Sequence, residues 1–224
     1  MAQFHTRLVI TKTRETGVFY YPEEDGYVSE IRNNYIHEDT SRRLEGIDLD
    51  DGSSHYHVHD NVCIARSITH SCGDYRTVEN NVFVDPSNPV VFWGGYERNH
   101  DRFTRNIIVI STHTANKAGD MYRIGSPPLQ GPFVEQMDYN LFFSDAGRFS
   151  AASTPREGQP TRHTLKDWQA QGYDQHSLYA DPEFVDPRKG DYRVRPESPA
   201  IKLGFKNLDL HDVGLLSDFP KQYR

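Results

Sequence analysis

The sequence predicts an all-β fold: a right-handed parallel β-helix whose irregular C-terminal tail carries one short helix. A pattern of one apolar residue, two variable residues, an asparagine and two apolar residues occurs five times. Its asparagines are Asn34, Asn61, Asn81, Asn106 and Asn140. The surrounding segments are short and rich in β-branched and aromatic residues, which is typical of strands and not of helices.

The spacing of the repeat favours stacked coils, since its asparagines are separated by 27, 20, 25 and 34 residues. In a solenoid, each coil contributes short strands that pair with the coils above and below. A turn asparagine at one level of every coil can adopt the left-handed conformation and bond its amide to the asparagine of the next coil. The alternative is a β-sandwich with hairpin turns at the Asn-Asn pairs, but Asn-Asn without Gly is a weak hairpin signal.

The chain is interpreted as three consecutive parts of one domain. These are coils over residues 1–143, a loop excursion over 144–163, and a short helix with a capping tail over 164–224. Thr164 and Asp167 have the spacing of a helix capping box, and Gly172 lies where that helix should end. The coils begin near Ile31 with no evident cap before them. We therefore expect a partner chain or missing coils at the N-terminal end.

Composition excludes several classes of function. The chain has 224 residues and a formal charge of −7, which argues against nucleic acid or an anionic membrane as its partner. Aromatic residues make up 12% of a chain that is only 36% hydrophobic, and this aromatic content favours a folded protein over a disordered one. Phosphate-loop, dinucleotide-binding, nucleophile-elbow and zincin motifs are absent from the sequence.

Several segments of the chain resemble β-helix carbohydrate-active proteins, most closely the branch that contains α-L-fucosidases and xylanases. The segments are 46–58 (GIDLDDGSSHYHV), 75–81 (YRTVENN), 103–107 (FTRNI), 174–184 (DQHSLYADPEF), 190–193 (GDYR) and 198–200 (SPA). The resemblance extends over about residues 26–214. It implies a right-handed β-helix that acts on a polysaccharide or oligosaccharide, without specifying the sugar or the linkage.

Counting back from each asparagine predicts a polar stripe along the solenoid. The positions ten and eleven residues before the first four asparagines hold Glu24 and Glu23, Asp51 and Asp50, Ser71 and His70, and Tyr96 and Gly95. Tyr21, Asp48 and Trp93 lie thirteen residues before their asparagines, and Ser67 lies fourteen residues before Asn81. If the intervening loops are equal in length, these side chains stack into a groove. Carboxylates, a histidine and flat aromatic faces are what a sugar-binding groove requires.

Asp51 is the preferred catalytic carboxylate, with Asp50 as its substitute. Asp74 is the preferred partner, and Asp101 follows it. Neighbouring coils lie about 4.8 Å apart and alternate coils about 10 Å apart. Carboxylate pairs in retaining and inverting glycosidases are separated by about 5–5.5 Å and about 6.5–9.5 Å respectively, so either outcome is open. The competing interpretation is that the Asp and Gly residues at 50–52 form a turn whose side chains bond the backbone.

Seven residues are predicted to bind substrate: Glu24, His55, His57, Arg66, His70, Trp93 and Tyr96. The two large aromatic side chains would stack on sugar rings, and Arg66 could clamp a sugar carboxylate. His55, His57 and His59 alternate along a strand, which also suggests a metal site. Strand residues two apart are about 6.5–7 Å distant, so we predict a groove-lining row and no metal.

The leading functional hypothesis is a glycoside hydrolase that uses two carboxylates on successive coils. A non-catalytic β-helix that binds glycan or protein is the alternative from another class. A polysaccharide lyase is the third, with Ca²⁺ held by Asp48, Asp50 and Asp51. No cofactor is expected otherwise. For a longer parent protein, we expect an extracellular or periplasmic location, where polymeric glycans occur.

Overall fold

The computed structural model describes residues 9–10, 29–37, 47–50, 52–64, 67–86, 90–93, 99–111, 118–127, 132–155 and 159–208. These residues are mostly β, with short helices near the C-terminal end. None of the helices in these ranges is long and apolar enough to cross a membrane.

The strands follow one another along the chain with short connections. In chain order they are β1 (Val9–Ile10), β2 (Ser29–Arg32), β3 (Tyr35–His37), β4 (Ile47–Leu49), β5 (Tyr56–His59), β6 (Val62–Ile64), β7 (Ile68–Ser71), β8 (Thr77–Glu79), β9 (Val82–Val84), β10 (Val90–Trp93), β11 (Arg102–Thr104), β12 (Ile107–Ile110), β13 (Tyr122–Gly125), β14 (Gln136–Asp138), β15 (Leu141–Ser144), β16 (Ala151–Thr154), β17 (Thr161–His163), β18 (Leu178–Tyr179), β19 (Phe184–Asp186) and β20 (Asp191–Val194). The helices are α1 (Leu165–Ala170) and α2 (Pro199–Lys202), with a 3-10 turn at Pro187–Lys189.

Three six-stranded sheets dominate the described part of the chain. The first sheet has the order β1-β2-β5-β8-β11-β14, the second β3-β6-β9-β12-β15-β18, and the third β4-β7-β10-β13-β16-β17. The chain visits the three sheets in turn, so that most strands pair in parallel with the strand three places later. The stacked parallel sheets agree with the predicted all-β, solenoid-like fold.

The repeated asparagines form a hydrogen-bonded ladder between successive coils, as predicted. The Nδ2 group of Asn34 donates to Oδ1 of Asn61 at 2.8 Å, and Asn61 donates to Asn81 at 2.9 Å. The ladder continues through Asn106 to Asn140. The left-handed residues, however, are those that precede the asparagines: Asn33, Asp60, Asn80, Arg105 and Tyr139. The sharp bend is made by the preceding residue, which frees the asparagine to bond along the stack.

The ladder ends on a buried carboxylate. Asn140 Nδ2 and Ser177 Oγ donate to Asp174 Oδ1 at 2.9 and 2.6 Å, and Trp168 Nε1 donates to its Oδ2 at 3.0 Å. Burial raises the pKa of Asp174 to about 6 although all three hydrogen bonds favour the charged form.

The core between the stacked sheets is closed at one end by α1, which the sequence predicted. Thr164 and Asp167 form the expected capping box. Trp168, only 1% exposed, packs its ring 6.0 Å from those of Tyr122 and Phe133, so the helix closes the core.

The prediction of a loop over residues 144–163 is wrong in two places. β16 continues the third sheet in parallel with β13, and β17 returns antiparallel to β16. The sequence pattern missed them because Ala151 and Ala152 bury small side chains, which carry little hydrophobic signal.

The rest of the described tail packs against the second sheet, whereas the sequence analysis expected it to cover the end of the stacked strands. Its apolar residues pack with the outer residues of that sheet in a second hydrophobic cluster. Lys206 is fixed by a pair of hydrogen bonds with Asn80: its backbone N donates to Asn80 Oδ1 at 2.7 Å, and Asn80 Nδ2 donates back to its carbonyl at 2.9 Å. The predicted missing coils or partner at the N-terminal end, and residues 209–224, lie outside the described residues.

Candidate functional site

The turns that connect the third sheet to the first stack on one another and form one edge of the molecule, which we call the corner. The described residues of its first three turns are 50, 52–55, 71–76, 93 and 99–101. Backbone bonds hold the turns together: Cys72 N donates to Trp93 O at 3.1 Å, and His55 N to Asp74 O at 3.2 Å. The corner therefore contains five of the predicted site residues, namely Asp50, His55, Asp74, Trp93 and Asp101.

Four predicted site residues, Glu24, Asp51, Arg66 and Tyr96, lie outside the described residues. Their roles stay predictions.

His70 lies in the core and not in a groove. The third sheet aligns Leu49, His70 and Phe92, and the His70 ring stacks on Phe92 with centroids 4.5 Å apart. His70 is 2% exposed, and burial lowers its pKa well below the usual value. The sequence analysis aligned His70 with Asp50, whereas the structure aligns it with Leu49, one residue earlier in the chain. Such a one-residue slip exchanges the inner and outer faces of a strand.

Trp93 is an exposed aromatic side chain in the corner, as a sugar-stacking role requires. It is 50% exposed and pairs in register with Ser71 and Gly125. A Cβ atom added to Gly125 would lie 2.0 Å from Trp93 Cε3, so the indole rests directly on this glycine. The glycine thereby supports the indole from below, on the neighbouring coil.

A stack of three rings forms the other exposed aromatic surface of the corner. The Tyr75 ring lies between those of His55 and His100, at centroid distances of 5.1 and 4.3 Å, with interplanar angles of 8° and 7°. Tyr75 is 46% exposed. The sequence analysis selected His55 but missed Tyr75, whose left-handed backbone (φ 55°) no sequence pattern indicates.

Asp74 holds the corner together through its carboxylate. Its Oδ1 accepts from the backbone N of Tyr75 at 2.8 Å and of His100 at 2.6 Å, and its Oδ2 lies 3.0 Å from His100 Nδ1. A second copy of this arrangement exists at Asp138, Tyr139 and His176.

The two copies share the contacts among the aspartate, the tyrosine that follows it and the histidine. In the second, Asp138 Oδ1 accepts from the backbone N of Tyr139 and His176 at 2.8 and 2.7 Å, its Oδ2 lies 2.6 Å from His176 Nδ1, and the rings stack 5.0 Å apart. Because the same arrangement occurs at a different turn of the stack, and in each copy the aspartate bonds a histidine of another turn, its function is to join successive turns. The preferred assignment of Asp74 as a catalytic partner is therefore not supported by its contacts.

Asp101 is a buried structural carboxylate, which contradicts its predicted place in an open groove. It is 2% exposed and accepts from the backbone N and from Nε of Arg76, both at 2.9 Å. Arg76 also donates to the carbonyls of Leu49 and Gly73 at 3.2 and 3.1 Å. Burial raises the pKa of Asp101 and the guanidinium of Arg76 opposes that shift.

Asp50 is an exposed carboxylate at the beginning of the corner's first turn. Its backbone carbonyl accepts from N and Oγ of Ser53 at 3.0 and 2.7 Å, so the predicted turn at these residues exists. Gly73 of the next turn approaches it so closely that a Cβ there would lie 2.1 Å from Ser53 O. Asp50 is thus both part of a turn and exposed to solvent. The structural and the catalytic interpretations of this residue therefore both stay open.

The outer face of the first sheet is a second polar surface, most of which the sequence analysis did not select. Its outward residues lie four and two positions before the asparagines: Glu30 and Arg32, His57 and His59, Thr77 and Glu79, Arg102 and Thr104, and Gln136 and Asp138. These outward residues could have been found by counting back from the repeated asparagines, because no loop lies between the strands of the first sheet and the asparagines that follow them.

A charged network occupies the centre of this face. Glu79 accepts from Arg105, and its Oε1 lies 3.0 Å from Nε2 of His57. The hydrogen bond with His57, aided by Arg105 and opposed by partial burial, lowers the pKa of Glu79 to about 2. Beside it, a cavity of about 520 Å³ lies between these strands and the tail at Leu203 and Gly204. The predicted substrate-binding residue His57 therefore lies on this face, away from the corner.

Comparison of the chain with models of protein families, with curated proteins and with solved structures finds no match.

Proposed function

We propose that the chain is a right-handed parallel β-helix protein that binds a polysaccharide or oligosaccharide along the corner. The observation that carries this proposal is the half-exposed indole of Trp93, on a turn next to the exposed ring stack of Tyr75 and its two histidines and in the same corner as the exposed residue Asp50. Flat aromatic faces bury the apolar side of a pyranose ring, while nearby polar groups bond its hydroxyls. The resemblance of the sequence motifs to carbohydrate-active β-helices supports the same class of ligand.

The shape of the corner favours an extended glycan over a single sugar. The space behind Trp93, lined by residues such as His70, Phe92 and Asp101, measures only about 10 Å³. Pockets that enclose a small ligand usually measure about 300–1,000 Å³. Within the described part of the corner, a glycan would therefore lie across an open surface, as a polymer does.

Glycoside hydrolysis is the second candidate function, and Asp50 favours it. Asp50 is exposed at the beginning of the corner's first turn, and Asp51 follows it in the chain. The other two predicted catalytic residues are committed to structural contacts, Asp74 to His100 and Asp101 to Arg76. Binding thus has more support than cleavage, and cleavage would depend on Asp50 and Asp51.

The first test is binding. The purified chain would be run by affinity electrophoresis through gels containing plant and algal polysaccharides. We expect at least one polysaccharide to retard it, and Trp93→Ala to weaken that binding at least about tenfold, equivalent to about 1.4 kcal/mol. Val185→Ala, an exposed apolar residue of the tail, is the matched control and should bind as the wild type. Equal retardation of wild type and Trp93→Ala would refute the assigned surface.

The second test separates binding from catalysis. Reducing ends and the ultraviolet absorbance of unsaturated uronates are measured on the polysaccharides that bind. Reducing ends without absorbance mean hydrolysis, and Asp50→Asn and Asp51→Asn should then abolish activity while preserving retardation. Both signals together mean a lyase. Retardation without either signal leaves the chain as a binding protein.

A further inference from the structure

We propose that Glu30, His57 and His59 form a binding site for a divalent transition metal ion of the zinc type, on the outer face of the first sheet. One carboxylate oxygen of Glu30 and one ring nitrogen of each histidine lie within 4.8 Å of one another. In the part of the chain that the structure describes, this is the one group of three such side chains close enough to share an ion.

The pairing of β2 with β5 brings the three side chains together. Glu30 lies directly opposite His57, and His59 follows two residues later on the same face. The sequence analysis rejected a metal here because backbone positions two apart on a strand are about 6.5–7 Å distant. The ring centroids of His57 and His59 are only 4.1 Å apart, because the side chains lean toward each other. His55 is not part of the group, since its ring stacks on Tyr75 in the corner.

Each histidine is oriented by its own carboxylate, as metal-binding histidines usually are. His57 Nε2 lies 3.0 Å from Glu79 Oε1, and His59 Nδ1 lies 2.6 Å from Asp60 Oδ2. Asp60 is held in turn by Asn80, whose Nδ2 donates to its Oδ1 at 2.6 Å. These contacts assign the second nitrogen of each ring, Nδ1 of His57 and Nε2 of His59, as the metal ligand.

The second nitrogen of His59 is an independent indication of a ligand. Its Nε2 atom is buried and has no hydrogen-bond partner among the residues that the structure describes. With the Nδ1 proton donated to Asp60, this atom carries a lone pair directed into the protein. A buried lone pair without a partner is unfavourable because it has lost its hydrogen bonds with water, and coordination to a metal ion would remove that cost.

The donor set selects the kind of ion. Two imidazoles and one carboxylate suit Zn²⁺ and related first-row metals, and they leave at least one coordination position for water. Ca²⁺ requires six to eight oxygen ligands, so this group would not hold it. Ligand atoms around tetrahedral zinc are roughly 3.3 Å apart, given bonds of about 2.0–2.1 Å. Glu30 would need to turn slightly, keeping its other oxygen near Arg32.

The test is calorimetric titration of the full chain with Zn²⁺. We expect one ion per chain, and His57→Gln and His59→Gln should each lower the affinity at least tenfold. Asp60→Asn should lower it about 10–100-fold by loosening His59. The matched control is His100→Gln, because His100 also pairs with an aspartate but belongs to no three-ligand group within the described ranges. Absence of zinc binding, or unchanged affinity in both histidine variants, would overturn the proposal.

A measurement on the wild type alone guards against variants that fail to fold. Crystals soaked in Zn²⁺ should show an anomalous-scattering peak bonded to Glu30, His57 and His59. A strongest peak at any other position would overturn the assignment, whatever the variants do.

Discussion

The outer faces of the first and second sheets differ in what they present, although the same coils build both. On the second sheet, Val62, Val82, Ile107 and Leu141 face outward and are buried by Tyr192, Val194 and Phe205 of the tail. On the first sheet the outward positions are polar or charged, and much of that surface stays open. A sheet with two apolar faces needs a cover, whereas a charged face loses solvation when covered. Of these two faces, the outer face of the first sheet is therefore the one that a ligand can reach.

The corner differs from both of these faces. Its carboxylates Asp74 and Asp101, which the sequence analysis made candidates for catalysis, hold the turns together. Asp101→Ala tests this most severely, since it leaves the guanidinium of Arg76 buried without its charge partner. We expect a loss of about 3–5 kcal/mol in the free energy of unfolding, measured in urea. Asp50→Ala, an exposed carboxylate of the same corner, is the control and should cost less than about 0.5 kcal/mol. Similar small losses in both would mean that Asp101 is not a structural residue.

Ile107→Ala tests the covered face of the second sheet. Its side chain is 1% exposed between β12 and the tail, so its truncation should cost about 2–5 kcal/mol. Thr77→Ala, at an outward position of the first sheet, should change stability by no more than about 0.5 kcal/mol. If the two variants melt alike, the tail does not cover the second sheet as described.

Asp174 lies at the end of the asparagine ladder, where its ionisable side chain is fully buried. An unfolded aspartate loses its proton near pH 3.9, whereas folded Asp174 keeps it up to about pH 6. Between these values the unfolded chain binds fewer protons, so this group lowers the free energy of unfolding by about 2 kcal/mol as pH rises from 4 to 7.

The stability difference between wild type and Asp174→Asn should therefore shrink by that amount over the same pH range. Chemical denaturation of both proteins at pH 4, 5, 6 and 7 measures it. A difference independent of pH would show that Asp174 is ionised throughout.

Arg102→Ala should have the smallest effect. Its side chain is exposed on the first sheet and donates to Oε1 of Gln136 at 3.1 and 2.6 Å. An exposed hydrogen bond of this kind contributes little, so we expect a change within about 0.5 kcal/mol. A loss above about 2 kcal/mol would mean that this face is covered in the folded protein.

The register of the first sheet could be predicted from the sequence, and that of the third could not. Outward residues of the first sheet precede the asparagines by a constant two or four positions because one left-handed residue completes every connection. Between the third sheet and the asparagines the turn varies: Ser71 precedes Asn81 by ten residues, but Trp93 precedes Asn106 by thirteen. Counting across unequal turns misplaced His70.

By itself, the sequence determined the stacking of the coils, the asparagine ladder and the capped helix, since each depends on residues close together or on a repeat of constant offset. Only the tertiary structure decided which polar groups are available. Asp74 and Asp101 are engaged by residues 26 and 25 positions away, and Glu30 meets His57 across 27 positions. Those separations follow from the lengths of the irregular turns, and no local preference of the chain encodes them.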